Sequence, residues 1–336
     1  MLSCRASQAI APADAPRDPP RDAPRVANDA DAGTGLDAAP ENGMLALAGD
    51  ITPVHDPAII GANGIYYVFS TGDGLPIRSS PDLQTWSGDG QVFTALPSWI
   101  DTTDPSDPLD LWAPDISYWG GEYHVYYAAS QFGVNTSCIG HATSPSLAPP
   151  AWTDYGPVIC STSSDDWNAI DPNLVLDGSG DPWLVFGSFW SGIKLIALDA
   201  SGARQGSAFY SLATRADTAV EGPFIVAHGG YYYLFESVGT CCDGSASTYR
   251  MLVGRALVLT GPYVDEDGSD LEAGGGTQLV AGDGMWVGPG HDAIFEAPNG
   301  DWYNVYHALD ASNAYTPTLR IAQLQWVSDR PVSAGP

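Results

Sequence analysis

The feature that most constrains this chain is a hairpin-like unit that occurs five times. Each unit has a leading polar residue, a short apolar run, a turn rich in Gly, Asp or Asn, and a second run that begins with aromatic residues. The units span 55–69, 113–127, 170–186, 221–235 and 290–306. One hairpin cannot bury its apolar face alone, so five copies at roughly blade-length spacing predict sheets stacked around an axis. The predicted fold is therefore all-β, a five-bladed β-propeller.

If the first strand of each blade is the innermost, its leading residue lies at one rim of the central channel. Aligned on their acidic residues, the units lead with the carboxylates of Asp56, Asp115, Asp171 and Glu221 and with the pair His291-Asp292. These side chains, far apart in the chain, are then expected to converge on one pocket.

The chain divides into two parts. Residues 1–48 are rich in Ala, Pro and Asp and almost free of aromatic side chains, which predicts a disordered leader or linker. Residues 49–330 form the predicted catalytic propeller, and residues 45–54 are candidates for a strand that closes the ring. The opening Met1-Leu2-Ser3-Cys4 is similar to the end of a lipoprotein signal, so we expect export, either secreted or lipid-anchored at the cell surface or periplasm.

Charge and hydropathy exclude several classes of function. The formal net charge of −28 argues against a nucleic-acid partner, which needs clustered Lys and Arg. The same charge disfavours anionic polysaccharides and leaves neutral substrates open. No run of eighteen apolar residues occurs, so no transmembrane helix is predicted. A monomer is the default expectation.

The five cysteines leave alternatives open. Cys138 and Cys160 lie in strand-like stretches of the second unit and could form a bridge. Cys241 and Cys242 could form a vicinal disulfide or stay as two buried thiols. No CxxC spacing with His partners is present, which argues against a zinc site.

Three of the leading acids stand in an acid-then-proline context: Asp56, Asp171 and Glu221. Acetal hydrolysis needs one protonated carboxyl for the leaving oxygen and one ionised carboxylate for water. A third carboxylate nearby raises the pKa of the acid by like-charge repulsion. Three acids on one rim therefore favour glycoside hydrolysis; the alternative is that each is an ordinary turn residue.

Several motifs together resemble glycoside hydrolase family 43. They are His55-Asp56-Pro57, Trp112-Ala113-Pro114-Asp115-Ile116, Ala169-Ile170-Asp171-Pro172, Val220-Glu221-Gly222-Pro223 and Gly288-Pro289-Gly290-His291. Two further stretches, 187–195 and 241–249, are similar to the endo-1,5-α-L-arabinanases of that family. Relatives often have Glu-Ala-Pro where this chain has Glu221-Gly222-Pro223.

The resemblance implies an inverting hydrolase of α-1,5-linked L-arabinofuranose in plant cell-wall arabinan or arabino-oligosaccharides. It implies that Asp56 is the general base, that Glu221 is the general acid, and that Asp171 orients the acid and raises its pKa. It also implies that His291 helps to hold a Ca²⁺ ion, largely through waters; the alternative for His291 is a hydrogen-bonded core histidine.

Other residues beside these motifs are candidates for sugar binding. Aromatic side chains that could stack on sugar faces are Trp112, Phe132, Phe189 and Trp190, and polar candidates are Asn168 and Ser188. Blade packing is the alternative for the aromatic residues. Two other functions stay open: an exo-acting α-L-arabinofuranosidase or β-xylosidase of the same family, and a non-catalytic carbohydrate-binding propeller.

Overall fold

The computed structural model describes residues 43–100 and 110–336. Within these ranges the strands form five sheets of four or five strands. The first strands of the sheets contact one another in a closed cycle, in the order of the chain. The prediction of an all-β, five-bladed propeller is confirmed. Most of the predicted leader, including Cys4, lies outside the described residues, and its disorder stays a prediction. The predicted boundary after residue 48 is wrong, because residues 43–48 are ordered by hydrogen bonds from Leu45 and Ala48 to the propeller.

The strands are given blade by blade. Blade one contains β1 (Ala48–Gly49), β2 (Ala58–Ala62), β3 (Ile65–Phe69), β5 (Pro76–Ser80) and β6 (Thr85–Gln91), and β4 (Gly72–Asp73) crosses to blade two. Blade two contains β7 (Asp110–Trp119), β8 (Glu122–Ala129), β9 (Ser137–Ser144) and β10 (Thr153–Ser161). Blade three contains β11 (Asn173–Leu176), β12 (Pro182–Phe186), β13 (Ile193–Ala197) and β14 (Tyr210–Ala213). Blade four contains β15 (Val220–His228), β16 (Tyr231–Val238), β17 (Arg250–Ala256) and β18 (Thr277–Ala281). Blade five contains β19 (Trp286–Glu296), β20 (Trp302–Asp310), β21 (Thr316–Trp326) and β22 (Pro331–Ser333). Two short 3-10 helices cover Gly244–Ala246 and Leu271–Ala273.

The segment of residues 43–54 joins blade five to blade one. The amide of Leu45 donates to the carbonyl of Ile321 at 2.9 Å, and the amide of Val54 donates to the carbonyl of Pro317 at 2.9 Å. Between these contacts, β1 pairs in parallel with β6 of blade one. Since one segment hydrogen-bonds to both blades, it ties the first blade to the last, as expected for residues 45–54.

The apolar core lies between neighbouring blades. Each cluster of buried side chains combines residues from two adjacent sheets, for example Phe69 with Val125 between blades one and two, and Leu195 with Leu234 between blades three and four. This follows from the repeated hairpin, because each sheet has two apolar faces that must be covered by its neighbours.

Aspartates cap many of the surface turns. The carboxylates of Asp82, Asp177, Asp199, Asp265 and Asp310 each accept hydrogen bonds from backbone amides two to four residues ahead. A short acidic side chain at the start of a turn satisfies amides that would otherwise have no partner. Part of the strong negative charge therefore has a structural purpose.

Asp115 is a buried link between blades two and three. Its carboxylate accepts from the side-chain amide of Asn173 and from the backbone amide of Leu174, both at 2.9 Å. Asn173 in turn accepts from the amide of Ile225 in blade four at 2.9 Å. These bonds connect three successive first strands deep in the channel wall.

Burial raises the pKa of Asp115 from 3.8 to about 6, although its two hydrogen bonds oppose the shift. A carboxyl whose pKa is higher in the folded chain holds its proton more tightly there. Its protonation contributes fully to the free energy of unfolding below about pH 4. This contribution, about 3 kcal/mol, is lost as the pH rises to about 6.

We expect Asp115→Asn to remove this part of the pH dependence of the free energy of unfolding, measured by urea denaturation from pH 4 to 7. The exposed Asp217→Asn is the control; an unchanged slope in Asp115→Asn would contradict the assignment.

Candidate active site

In every blade a residue in the left-handed backbone region lies either two positions before the first strand or within it. These residues are Asp56, Ala113, Asp171, Gly222 and His291, with φ of 49°, 42°, 57°, 55° and 54°. Proline follows the first four of them. The equivalent positions of the five units are therefore the left-handed residues, and not the acidic residues on which the units were aligned from the sequence.

The correction changes the position of two carboxylates. Asp115 lies two residues beyond the left-handed position, where its side chain meets Asn173 in the channel wall. It is therefore a link between blades and does not join the rim pocket as expected. Glu221 lies one residue before the left-handed Gly222, so it projects from the rim by a different backbone route than Asp56 and Asp171 do.

A side chain of the preceding blade accepts the amide hydrogen of most of these left-handed residues. Ala113 donates to Thr71 at 2.8 Å, Gly222 to Asp171 at 3.0 Å, His291 to Ser237 at 2.8 Å, and Asp56 to His307 at 3.2 Å. Three of the acceptors, Thr71, Ser237 and His307, lie near the ends of second strands, and Asp171 lies just before the first strand of blade three. Antiparallel pairing places the end of a second strand at the rim where first strands begin. The sheet geometry thus brings the two sets of residues together.

Asp56 is surrounded by hydrogen-bond donors. The hydroxyl of Thr71 donates to its Oδ2 at 2.6 Å, and His55 Nδ1 lies 2.7 Å from the same oxygen. His291 Nδ1 lies 3.1 Å from Oδ1. Burial raises the pKa of Asp56, but the attraction of His55 and His291 and the His55 hydrogen bond outweigh it and hold the pKa below its usual range. Asp56 is therefore ionised, as a base must be.

Glu221 and Asp171 have the opposite electrostatic environment. Burial raises the pKa of Glu221, and the charge of Asp56 adds to this, while hydrogen bonds from Ser188 and Tyr249 oppose it. Burial and the charges of Glu221 and Asp56 raise the pKa of Asp171 well above its usual value. The three carboxyls thus interact electrostatically, and two of them retain protons at a pH where the third is charged.

Asp171 holds the backbone beside Glu221, because its Oδ2 accepts the amide hydrogen of Gly222 at 3.0 Å. A Cβ atom at Gly222 would lie 3.1 Å from His291 Nδ1, closer than an ordinary contact. Glycine here suits the left-handed φ and leaves the His291 ring room beside the acid.

The predicted aromatic residues differ in exposure. Phe132, Phe189 and Trp190 are exposed by 88%, 51% and 45%, and Trp112 is partly buried. The amide of Phe189 donates to the carbonyl of Val220 at 3.1 Å, which places its stretch next to Glu221. Exposed aromatic rings beside the carboxyl cluster can stack on a ligand, whereas rings that only pack blades are buried.

The two polar candidates are both buried. The hydroxyl of Ser188 donates to Glu221 Oε2 at 2.6 Å, so its hydrogen is directed at the acid. Asn168 is 3% exposed, and its Oδ1 has no hydrogen-bond partner in the described residues. A sugar-binding role for either residue stays a prediction.

Sequence reasoning assigned no role to several residues of the site: His55, Thr71, Ser237, Tyr249 and His307. His55 and Tyr249 belong to the quoted motifs, and this was the available signal. Thr71, Ser237 and His307 lie near the ends of second strands, outside any motif. Only the hairpin geometry shows that they reach the rim.

The cysteine alternatives are resolved. Cys138 and Cys160 are directly opposite on β9 and β10 and form a disulfide. Cys241 and Cys242 form a vicinal disulfide. In the described residues, the one group of three His, Cys, Asp or Glu side chains with ligand atoms within 4.8 Å of one another is His55, Cys241 and His307.

Comparisons with known proteins agree with this geometry. Residues 51–331 match the model of glycosyl hydrolases family 43. The chain is 44% identical over 284 residues to the extracellular endo-alpha-(1->5)-L-arabinanase 1 of Bacillus subtilis, covering 83% of this chain and 87% of that protein. It is 40% identical over 300 residues to the extracellular exo-alpha-(1->5)-L-arabinofuranosidase ArbA of Cellvibrio japonicus, covering 84% and 86%. A GH43 endo-arabinanase structure from Bacillus licheniformis superposes with a TM-score of 0.81 at 44% identity, covering 86% of this chain and 99% of that one. The chain therefore belongs to glycosyl hydrolases family 43.

Proposed function

We propose that this protein is an inverting glycoside hydrolase that cleaves α-1,5-linked L-arabinofuranose bonds inside arabinan. The observation that supports this most directly is the opposite environment of the carboxyls on one rim. Donors surround Asp56 and lower its pKa, while burial and the charge of Asp56 raise the pKa of Glu221. Two relatives are named for endo action on α-1,5-linked arabinan, and the match to this chain covers 87% and 86% of their lengths, which supports the substrate.

The proposed reaction uses each carboxyl once. Asp56 accepts a proton from a water molecule, whose oxygen attacks the anomeric carbon from the face opposite the bond that breaks. Glu221 gives its proton to the departing O5 of the next sugar. One new reducing end with inverted configuration and one free hydroxyl result. For the water to fit, the carboxyls should lie roughly 6.5–9.5 Å apart.

Asp171 acts on the acid and takes no direct part in proton transfer to the sugar. Its bond to the Gly222 amide fixes the backbone next to Glu221. Repulsion between the two carboxyls raises the pKa of Asp171, so Asp171 keeps its proton and does not compete with Asp56 as a base. Ser188 donates to Glu221 Oε2 and holds the carboxyl in place. Its hydrogen bond also stabilises the carboxylate that remains after the proton has left.

Neutral arabinofuranose rings suit the surroundings of these groups. Phe189 presents an exposed ring next to the Glu221 stretch, and the exposed ring of Trp190 contacts it. The net charge of −28 opposes binding of acidic polymers and has no such effect on arabinan.

Glu221→Gln and Asp56→Asn should each lower kcat on linear arabinan by about 10²–10⁴-fold, because each removes one half of the proton transfer. Reducing-end release measures this. Asp115→Asn is the matched control, since it replaces a buried acid of the channel wall that the reaction does not use. Retained activity in Glu221→Gln would overturn the assignment of the acid, and an initial product of retained configuration by NMR would overturn inversion.

The exo-acting alternative has its own support, since one relative is named as an exo-acting arabinofuranosidase. Endo cleavage produces a ladder of oligosaccharides from debranched arabinan early in the reaction, and exo cleavage releases one product from the chain end. We expect the ladder, detected by chromatography at low conversion. A single early product would overturn endo action, and release of sugar from xylosides but not arabinan would favour the xylosidase alternative.

We also propose a divalent cation, with Ca²⁺ as the expected ion, at His291. His291 Nδ1 contacts the Asp56 carboxylate, so the hydrogen of the neutral ring lies on Nδ1. The lone pair on His291 Nε2 is then available to a cation. No carboxylate group completes a three-ligand cluster around His291 in the described residues, so waters would supply the other ligands. A cation there supplies positive charge close to the base.

Removal of this ion with a chelator should lower Tm by several degrees, and Ca²⁺ should restore it more fully than Mg²⁺ does, because Mg²⁺ demands smaller, octahedral sites. Thermal unfolding with and without EDTA measures the effect, and His291→Ala is the matched variant, in which the chelator should have no effect. An equal chelator effect in both proteins would contradict a site at His291.

The proposed location is outside the cell. Two relatives are named as extracellular, which supports this location. A lipid anchor at Cys4 stays a prediction.

A further inference from the structure

The connection between β16 and β17, residues 239–249, reaches from blade four across to blade one. We call it the brace loop. It is closed on itself by three hydrogen bonds: the amide of Thr248 donates to the carbonyl of Thr240 at 3.0 Å, the amide of Thr240 to the hydroxyl of Thr248 at 3.0 Å, and the hydroxyl of Ser247 to the carbonyl of Thr240 at 2.7 Å. The Cys241–Cys242 disulfide lies at its tip.

The disulfide contacts two stacked imidazole rings. His55 Nε2 lies 3.1 Å from Cys242 Sγ and 3.6 Å from Cys241 Sγ, and His307 Nε2 lies 4.0 Å from Cys241 Sγ. The rings of His55 and His307 stack with centroids 4.0 Å apart at 24°. Both rings contact Asp56 through their other nitrogen. His55 Nδ1 lies 2.7 Å from Asp56 Oδ2, and the backbone amide of Asp56 donates to His307 Nδ1 at 3.2 Å.

The contact with the Asp56 backbone fixes the tautomer of His307. A backbone amide can only donate, so His307 Nδ1 is the acceptor and carries no hydrogen. The ring hydrogen of the neutral imidazole is then on Nε2, directed at Cys241 Sγ.

This tautomer argues against a metal ion among His55, Cys241 and His307. A metal at His307 Nε2 would require the hydrogen to move to Nδ1, where it would oppose the Asp56 amide. The sulfur of a disulfide is also no thiolate ligand. The group is better explained as a support for Asp56.

We propose that His307 and the Cys241–Cys242 disulfide are positioning groups for the general base. This rests on the proposed role of Asp56. His307 accepts the amide hydrogen of Asp56 in its left-handed conformation, and His55 contacts the carboxylate. The disulfide contacts the Nε2 atoms of both rings and limits their movement.

The brace loop also couples the base to the acid. It continues from β16, whose Ser237 is paired with Glu221 of β15. The loop therefore connects the strand pair of the acid with the rings that hold the base. A displacement of about 1 Å between reacting groups can cost about 10²-fold in rate, so this connection bears on kcat.

Two substitutions of His307 separate positioning from space filling. Asn places an oxygen close to the position of Nδ1, and Gln places one close to Nε2, while Asn, one methylene shorter, leaves the larger void. We expect His307→Gln to lower kcat on linear arabinan about tenfold or more with KM within about twofold, and His307→Asn to retain kcat within about threefold. Thermal unfolding should show a loss of Tm in His307→Asn at least as large as in His307→Gln, so lost stability does not explain the order of kcat. Equal losses of kcat in the two variants, or no loss in either, would overturn the role of His307.

Reduction tests the disulfide in the folded protein. In the Cys138→Ser/Cys160→Ser background, tris(2-carboxyethyl)phosphine converts Cys241–Cys242 to two thiols and becomes the phosphine oxide with oxygen from water. We expect kcat to fall about tenfold at unchanged KM and to recover on reoxidation. The same treatment of a chain that also carries Cys241→Ser/Cys242→Ser should change nothing. Unchanged kcat after reduction that mass spectrometry shows to be complete would overturn the role of the disulfide.

Asp56→Asn, assayed on the same substrate, distinguishes the two failures. If that variant retains activity, the proposed function of Asp56 is wrong whatever the His307 variants do. If it is inactive and His307→Gln equals His307→Asn, only the positioning proposal fails.

Discussion

The structure depends on one recurring hydrogen bond at the rim of the channel. Each blade has a left-handed residue just before or within its first strand. In four blades a side chain of the preceding blade accepts the amide hydrogen of this residue. A non-glycine residue in this backbone region costs roughly 1–3 kcal/mol, so each bond helps to offset a local strain. The same bonds join blades that otherwise meet mainly through apolar side chains.

These bonds also place the groups proposed for catalysis. Asp171 is the acceptor for blade four, and its bond lies next to Glu221. Thr71 accepts from Ala113 in blade two and donates to Asp56. Because structural and catalytic contacts use the same atoms, the positions of the carboxyls are fixed by the way the ring is assembled. The opposite environments of Asp56 and Glu221 follow from which groups each blade presents to its neighbour.

The sequence predicted much of this and failed where geometry was needed. The alternation of apolar runs and turns predicted the fold. Local motifs pointed to Asp56, Asp171 and Glu221, whose carboxyls interact in the structure, while their catalytic roles stay proposals. Asp115 was aligned with them on residue type, but a carboxylate two positions beyond the left-handed residue points into the channel wall. His307 could not be found, because no local pattern shows that a residue in β20 meets a residue 251 positions earlier. The proline that follows the left-handed residue in four of the units marks their equivalent positions better than the acidic residues do.

The sequence by itself determined the repeated hairpin, the family and the residue types available for catalysis, because turn chemistry and apolar periodicity are local. Only the tertiary structure decided which carboxyl is charged and which is protonated. Those properties depend on burial and on partners from other blades, such as His55 and His291 around Asp56 and Ser188 beside Glu221. It also decided the pairing of Cys241 with Cys242 and the contact of that disulfide with His55, because such contacts form only when distant blades close into a ring.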